Sequence, residues 1–420
     1  MTRILIYSHD GFGLGNIRRM LRIATHMAGS LSEVSVLVLS GSPMVQGFRI
    51  APHIDYIKLP SVTRTERDGY ATRSLGLAAD DTFELRANMI LAAVVDFRPD
   101  VILVDKKPLG MHDELEAAIY YTRMHRPQTG LVLVLRDILD QPQATIRSWR
   151  AGHYTESIER YYDSVLVLGS PDVFDMRREY DLPEAVCRKL RFCGYVTASP
   201  GLRKRDEVRR ELGVGQTESL VLVTPGGGED GVEVIDAYAA ALPRLHASPT
   251  CKSLIVTGPE MPAEKRHVIE EAARTHANVT VREFTDDMMS YMDAADVVVA
   301  MGGYNTVCEI ATLRKRAVVV PRVRPVQEQG IRASRLASLG LLRMIHPDTL
   351  TPNTLANAVE RELEIDSSRT DATLDLNALP RVTRHVTALL DRRHAIVGAP
   401  VSGPEALSAA VQPSIHRAMA

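Results

Sequence analysis

The chain has little of what would tie it to a metal, a disulfide framework or a polyanion. Only four cysteines occur in 420 residues, Cys187, Cys193, Cys251 and Cys308. Their spacing fits no zinc motif and is too sparse for a disulfide scaffold, so a reducing, cytoplasmic setting is expected. No stretch of 18 apolar residues exists, which excludes a spanning helix and leaves adsorption to the inner membrane face open. The formal net charge is −2, and the acidic and basic residues are balanced in both halves. Nucleic acid is therefore not an expected partner. The single tryptophan, Trp149, reads as packing. The chain starts with a strand, RILIYS, rather than a basic segment followed by an apolar one, so no signal peptide is expected.

What is present is an alternation of short valine- and leucine-rich runs with amphipathic helices, the pattern of parallel sheets covered on both faces. The runs at 3–8, 34–40, 101–104, 131–138 and 164–171 supply the first half; those at 219–224, 253–257, 279–282, 294–300 and 317–321 supply the second. Between them, RFCGYVTASPG at 191–201 marks a boundary near Tyr195. The expected organisation is a domain at 1–195, a second at 196–370, a helix at 371–395 and a frayed tail at 396–420. Residues 61–82 are polar and read as a long loop over whatever site the strand ends build.

Three glycine turns follow strands. The first, HDGFGLGN, carries Gly11, Gly13 and Gly15, but Asn16 stands where a dinucleotide fingerprint has its third glycine, and the next strand ends without an acid for an adenosine ribose. A dehydrogenase is discounted accordingly. The second is Gly226, Gly227 and Gly228, before a helix beginning near Val232. The third is MGGYNTVCEI, where Gly302 and Gly303 end a buried strand, Asn305 or Thr306 is placed to cap the next helix, and Glu309 follows within it. Exposed amides at such turns attract phosphate, and a carboxylate one turn into the helix can hydrogen-bond a ribose diol. Downstream, Glu328 and Gln329 open another helix.

This order resembles the donor half of GT-B glycosyltransferases, closest to the family that adds N-acetylglucosamine to the peptidoglycan lipid precursor. The resemblance runs along most of the chain, with its specific motifs in the C-terminal half. It implies an α/β protein of two doubly wound, Rossmann-like domains facing across a cleft, with the last helix crossing back to the first domain. It implies a nucleotide-diphosphate sugar, expected to be UDP-linked, held by Gly226 to Gly228, Gly302, Gly303, Asn305 and Thr306 at the diphosphate, Glu309 at the ribose, Glu328 and Gln329 at the sugar, and Phe284 at the base. It also implies a hydroxyl acceptor (a carbohydrate, lipid-linked sugar or natural product), inversion at the anomeric carbon, and no required cofactor or metal. The first loop, with Gly11, Gly13, Gly15 and Asn16, would face the acceptor and the donor phosphates. Related members often place a histidine where this chain has Asn16, which leaves His9, or Asp10 beside it, as the base. Asp105, at the end of the 101–104 strand, is the acid expected to orient His9. Lys106 and Lys107 are charges for phosphate, an acidic acceptor or solvent. Two alternatives remain: a nucleotide-sugar hydrolase or 2-epimerase on the same fold, and a non-catalytic nucleotide-sugar-binding subunit.

Overall fold

A computed structural model describes residues 1–10, 15–65, 69–228, 230–246, 250–364 and 373–397. Among these residues fifteen strands occur in chain order: β1 Thr2–Ser8, β2 Val34–Ser40, β3 Ile54–Lys58, β4 Val62–Arg64, β5 Tyr70–Thr72, β6 Val101–Asp105, β7 Gly130–Arg136, β8 Ser164–Leu168, β9 Leu190–Phe192, β10 Ser219–Thr224, β11 Cys251–Val256, β12 Val279–Arg282, β13 Val297–Ala300, β14 Arg316–Val319 and β15 Arg343–Met344. The first sheet runs β3-β2-β1-β6-β7-β8-β9 and the second β12-β11-β10-β13-β14-β15, and every pairing in both is parallel. The central strands carry no alternation because helices cover both faces: all five residues of β6 and all four of β13 are buried.

The strand orders matter for function. In each sheet the direction of winding reverses once, between β1 and β6 in the first and between β10 and β13 in the second. At a reversal the two flanking connections leave toward opposite faces, which opens a crevice at the carboxyl ends of those strands. His9 and Asp10 follow β1, Asp105 ends β6, Gly226 to Gly228 follow β10, and Gly302 and Gly303 follow β13. All stand at a reversal.

The 61–82 region differs from a plain loop. Part of it pairs as the antiparallel hairpin β4-β5, with Val62 buried against Phe83 and Met111. Three short edge strands, β3, β9 and β15, also lie outside the sequence-based assignment, being brief and mixed with charged residues. Edge strands bury one flank only, and their hydrophobic signal is correspondingly weak. The chain passes between domains twice, side by side: Tyr195 N–H donates to Asp375 O at 2.6 Å, Ala378 N–H donates to Tyr195 O at 3.2 Å, and Val196 bridges Asn377 in antiparallel fashion. Gly194, at φ +85°, makes this crossing, since a Cβ there would stand 2.8 Å from Asp375 O. Beyond it, the helix Ala378–Val397 puts Val382, Val386 and Leu390 into the core of the first domain, among Ile4, Ile23 and Met27. Among the described residues no helix is long and apolar enough to cross a membrane.

Candidate functional site

The first rim is built on the reversal between β1 and β6. His9 and Asp10 leave β1 almost wholly buried. Asn16, at the start of the helix Gly15–Ser30, donates to His9 O at 2.6 Å and accepts from Arg19 at 3.1 Å. Gly11 and Gly13 lie outside the described residues. Asp105 does not orient the imidazole as the sequence suggested. Its carboxylate accepts from the buried Arg19 guanidinium at 2.7 Å and, at 3.3 Å, from the backbone N–H of His9. A buried carboxylate takes the nearest full charge, and Arg19 is delivered to it by a helix whose other buried residues are mostly apolar.

The electrostatics separate the two candidate bases. Burial, reinforced by Lys106, Lys107, Arg86 and Arg136, holds His9 well below the usual imidazole range. It is therefore neutral near pH 7, and among the described residues its Nδ1 is buried without a partner. Asp10 accepts from Ser40 Oγ at 2.7 Å, and burial pushes its carboxyl up to about 6. The signs give a test. A base must be unprotonated, so catalysis through Asp10 falls off on the acid side of about pH 6, whereas catalysis through His9 shows no limb near 6 and continues at lower pH. The pH profile of kcat/KM measures this directly. We expect no limb at 6. Beneath the rim, Arg86 forms a fully buried fork to Glu114, at 2.5 and 2.7 Å, and Tyr7 donates to the same carboxylate at 2.6 Å. Gly41 is required here, because a Cβ would lie 2.6 Å from both Arg86 Nη1 and Asp10 O. Lys106, in the left-handed region at φ +72°, has its ammonium lowered to about 8 by burial and then by Arg136.

The second rim carries the glycine turns. Gly226 and Gly228 adopt φ of +86° and +103°, and a Cβ on Gly228 would meet Thr257 O at 2.4 Å. Gly226 and Gly228 are thus demanded by a turn packed against the end of β11. At the other turn, Gly303 itself is the N-cap of the helix Tyr304–Thr312, and no side chain caps it. Neither Asn305 nor Thr306 has the capping role expected from the sequence. The helix begins earlier because Tyr304 is buried, stacked on Tyr195 with ring centroids 5.8 Å apart. Asn305 instead reaches across the cleft to Gly15 O at 3.0 Å. Gly302 permits close packing, since a Cβ would stand 2.9 Å from Gln329 O. Gln329 Oε1 accepts from Arg322 N–H at 3.1 Å, and Glu328 is buried with Arg136 at 2.7 Å. Phe284, just past β12, is 51% exposed at the same rim, an open aromatic surface rather than a core plug.

Residues 220–377 match the glycosyltransferase family 28 C-terminal domain. An uncharacterized glycosyltransferase of Methanopyrus kandleri is 26% identical over 208 residues, covering 49% of this chain and 56% of that protein. A UDP-N-acetylglucosamine–N-acetylmuramyl-(pentapeptide) pyrophosphoryl-undecaprenol N-acetylglucosamine transferase of Glaesserella parasuis is 35% identical over 92 residues, 22% of this chain and 26% of its own. The chain thus spans about half of the first relative and a quarter of the second. Among solved structures, Acinetobacter baumannii MurG superposes with a TM-score of 0.57 at 15% identity, over 92% of this chain and 100% of that one. The fold is GT-B, and its second domain resembles family 28. The UDP-GlcNAc 2-epimerase of Methanocaldococcus jannaschii shares the fold at a TM-score of 0.59 and 10% identity, over 92% and 100%.

The two GT-B domains are joined across the cleft by charge pairs that sequence reasoning did not anticipate. Arg332 donates to both oxygens of Asp137, at 2.8 and 2.7 Å, with both side chains essentially unexposed. It also donates to Gly302 O at 2.8 Å. Glu309, 2% exposed, accepts from Arg18 at 2.8 Å and Arg22 at 2.9 Å, both on the first helix of the other domain. Gln327 N–H reaches Asp140 at 2.8 Å. Asp137 follows β7 as Asp105 ends β6, so the rule that singled out one acid at a strand end would have found the other. Arg332 lies one helical turn beyond Glu328 and had the same kind of signal.

Proposed function

We propose that this protein transfers a sugar from a nucleotide-diphosphate donor, UDP-linked, to a hydroxyl acceptor with inversion. The observation that carries the reading is the meeting, across one cleft, of a family 28-like donor half with a buried, neutral histidine at the opposing reversal. The turns at Gly226 to Gly228 and Gly302 to Gly303 present backbone amides to the diphosphate, which stabilise the negative charge as the diphosphate departs. Glu309, whose Oε1 is held by Arg18 and Arg22, offers its other oxygen to the ribose diol. Glu328 and Gln329 lie beside the sugar, and Phe284 against the base. His9 accepts the acceptor's proton as its oxygen attacks the anomeric carbon from the face opposite the leaving group. Asp10, fully enclosed and held by Ser40, is not the base. Asp105 acts through the backbone of His9 and through Arg19.

Calorimetric titration with UDP, GDP, dTDP and ADP tests the donor half. UDP is expected to bind, and Glu309→Ala to lose about 1–3 kcal/mol of that binding, the range for a buried polar group left unpaired. If no nucleotide binds, the transferase reading fails. The 2-epimerase fold likeness supplies a second reading, told apart by incubating UDP-N-acetylglucosamine without acceptor: an epimerase or hydrolase consumes it, the transferase does not.

A further inference from the structure

A second cavity lies at the opposite end of the first sheet from the cleft. It has a volume of about 400 Å³ and sits where β8 and β9 begin, roofed by the C-terminal helix at His385, Leu389 and Arg392. The cleft is at the strands' carboxyl ends, so the two sites share no residue.

The charges around this cavity are unbalanced. Arg188, Lys189, Arg191, His385 and Arg392 line it, against Glu159 and Asp163. Asp163 is committed elsewhere, accepting from Arg123 at 3.0 Å and from Leu131 N–H at 2.8 Å. Lys189 spends its three N–H bonds on the carbonyls of Ile158, Glu159 and Tyr162, at 3.1, 2.6 and 2.7 Å, where the helix Tyr154–Tyr161 ends. It contributes charge but no spare donor. Arg191 uses one nitrogen, Nη1, on the carbonyls of Arg188 and Leu190, both at 2.8 Å, which fixes the guanidinium and, among the described residues, leaves its other N–H groups unspent. Among the described residues Arg188 pairs only with exposed Glu184, a weak contact. Arg392 has no ion pair among the described residues. The surplus is visible at His385, which burial and then Arg191, Arg384 and Arg381 hold below the usual imidazole range.

We propose that this cavity binds a phosphomonoester carried on a small organic body, and that its occupant fastens the C-terminal helix to the first domain. A guanidinium fork matches the oxygens of a phosphate. The volume exceeds a bare phosphate and falls in the range of small-molecule sites, and Ala185, Ala388 and Leu389 give the organic part an apolar wall. The phosphate can come from a soluble sugar phosphate or from a phosphatidate headgroup.

The test uses the full chain, the double variant Arg191→Ala/Arg392→Ala and the variant Glu159→Gln, at constant ionic strength and with UDP present throughout to occupy the cleft. One arm titrates glucose 6-phosphate against glucose by calorimetry. The other sediments the protein with vesicles of phosphatidylcholine, with or without phosphatidic acid. Binding in either arm that weakens about tenfold or more in the double variant, the loss expected for charge-assisted hydrogen bonds, and tightens in Glu159→Gln supports the site. The responding arm identifies the source. Binding that is equal in all three proteins, or absent from both arms, overturns it. This outcome is independent of whether UDP binds, because the altered residues lie at the far end of the sheet.

Discussion

Asp137→Ala is expected to destabilise the protein by about 3–5 kcal/mol, the cost of stranding one member of a buried ion pair. The Arg332 guanidinium has almost no access to water, and its charge is met by both oxygens of Asp137, which also accepts from Tyr195 Oη at 3.1 Å. Removing the carboxylate leaves that guanidinium with Gly302 O, the face of Tyr304 5.7 Å away, and Glu328 at 3.5 Å, a carboxylate already paired with Arg136. A carbonyl, a ring face and a longer contact to a carboxylate shared with Arg136 offset only part of a full charge in a dry interior. Arg332→Met should cost a similar amount, because Asp137 is then the stranded charge. The double variant should cost less than the two singles added together, since neither charge remains. Urea denaturation of the four proteins gives the coupling. Asp137→Ala within 1 kcal/mol of the parent would mean that the domain interface is hydrated in solution and that the pair is not what holds it shut.

His9→Ala is expected to lower kcat by about 10²- to 10⁴-fold, the usual contribution of a positioned general base, with UDP affinity unchanged. The separation follows from the architecture: the expected donor contacts lie on the second domain, while His9 lies on the first. A variant that lost donor affinity along with rate would have disturbed the closed arrangement, in which Asn16 holds the His9 carbonyl. Less than a tenfold loss, together with an acid limb near pH 6, would transfer the role to Asp10.

The parallel sheets were legible because their central strands are buried on both faces and read as unbroken valine and leucine runs, as at 101–104 and 297–300. The glycine turns were legible for a related reason: a positive φ or a close approach leaves few alternatives to glycine, as Gly228 against Thr257 O shows. What sequence reading could not supply was partnership between charges far apart in the chain. Asp105 looked like a companion for His9 by its position at a strand end, yet Arg19, 86 residues away in the chain, claims it. Glu309 looked free for a ribose, yet Arg18 and Arg22 hold it in this arrangement. A charge's partner depends on how distant segments meet, within one domain for Asp105 and between two for Glu309, and no local pattern encodes that. The capping role assigned to Asn305 or Thr306 went astray by the same route, because Tyr304 is anchored by a stacking partner in the 190s and draws the helix start with it.

The return of the last helix to the first domain makes that domain discontinuous in the chain, with the second domain inserted into it. Synthesis therefore delivers the parts out of structural order. When residue 195 leaves the ribosome, the first sheet is complete in sequence, but the apolar strip later covered by Val382, Val386 and Leu390 is bare. It stays bare while the entire second domain is made and folds. A nascent chain in that condition is a natural client for chaperones that shield apolar surface. A fragment ending before 378, although it holds both sheets, would keep that strip uncovered permanently.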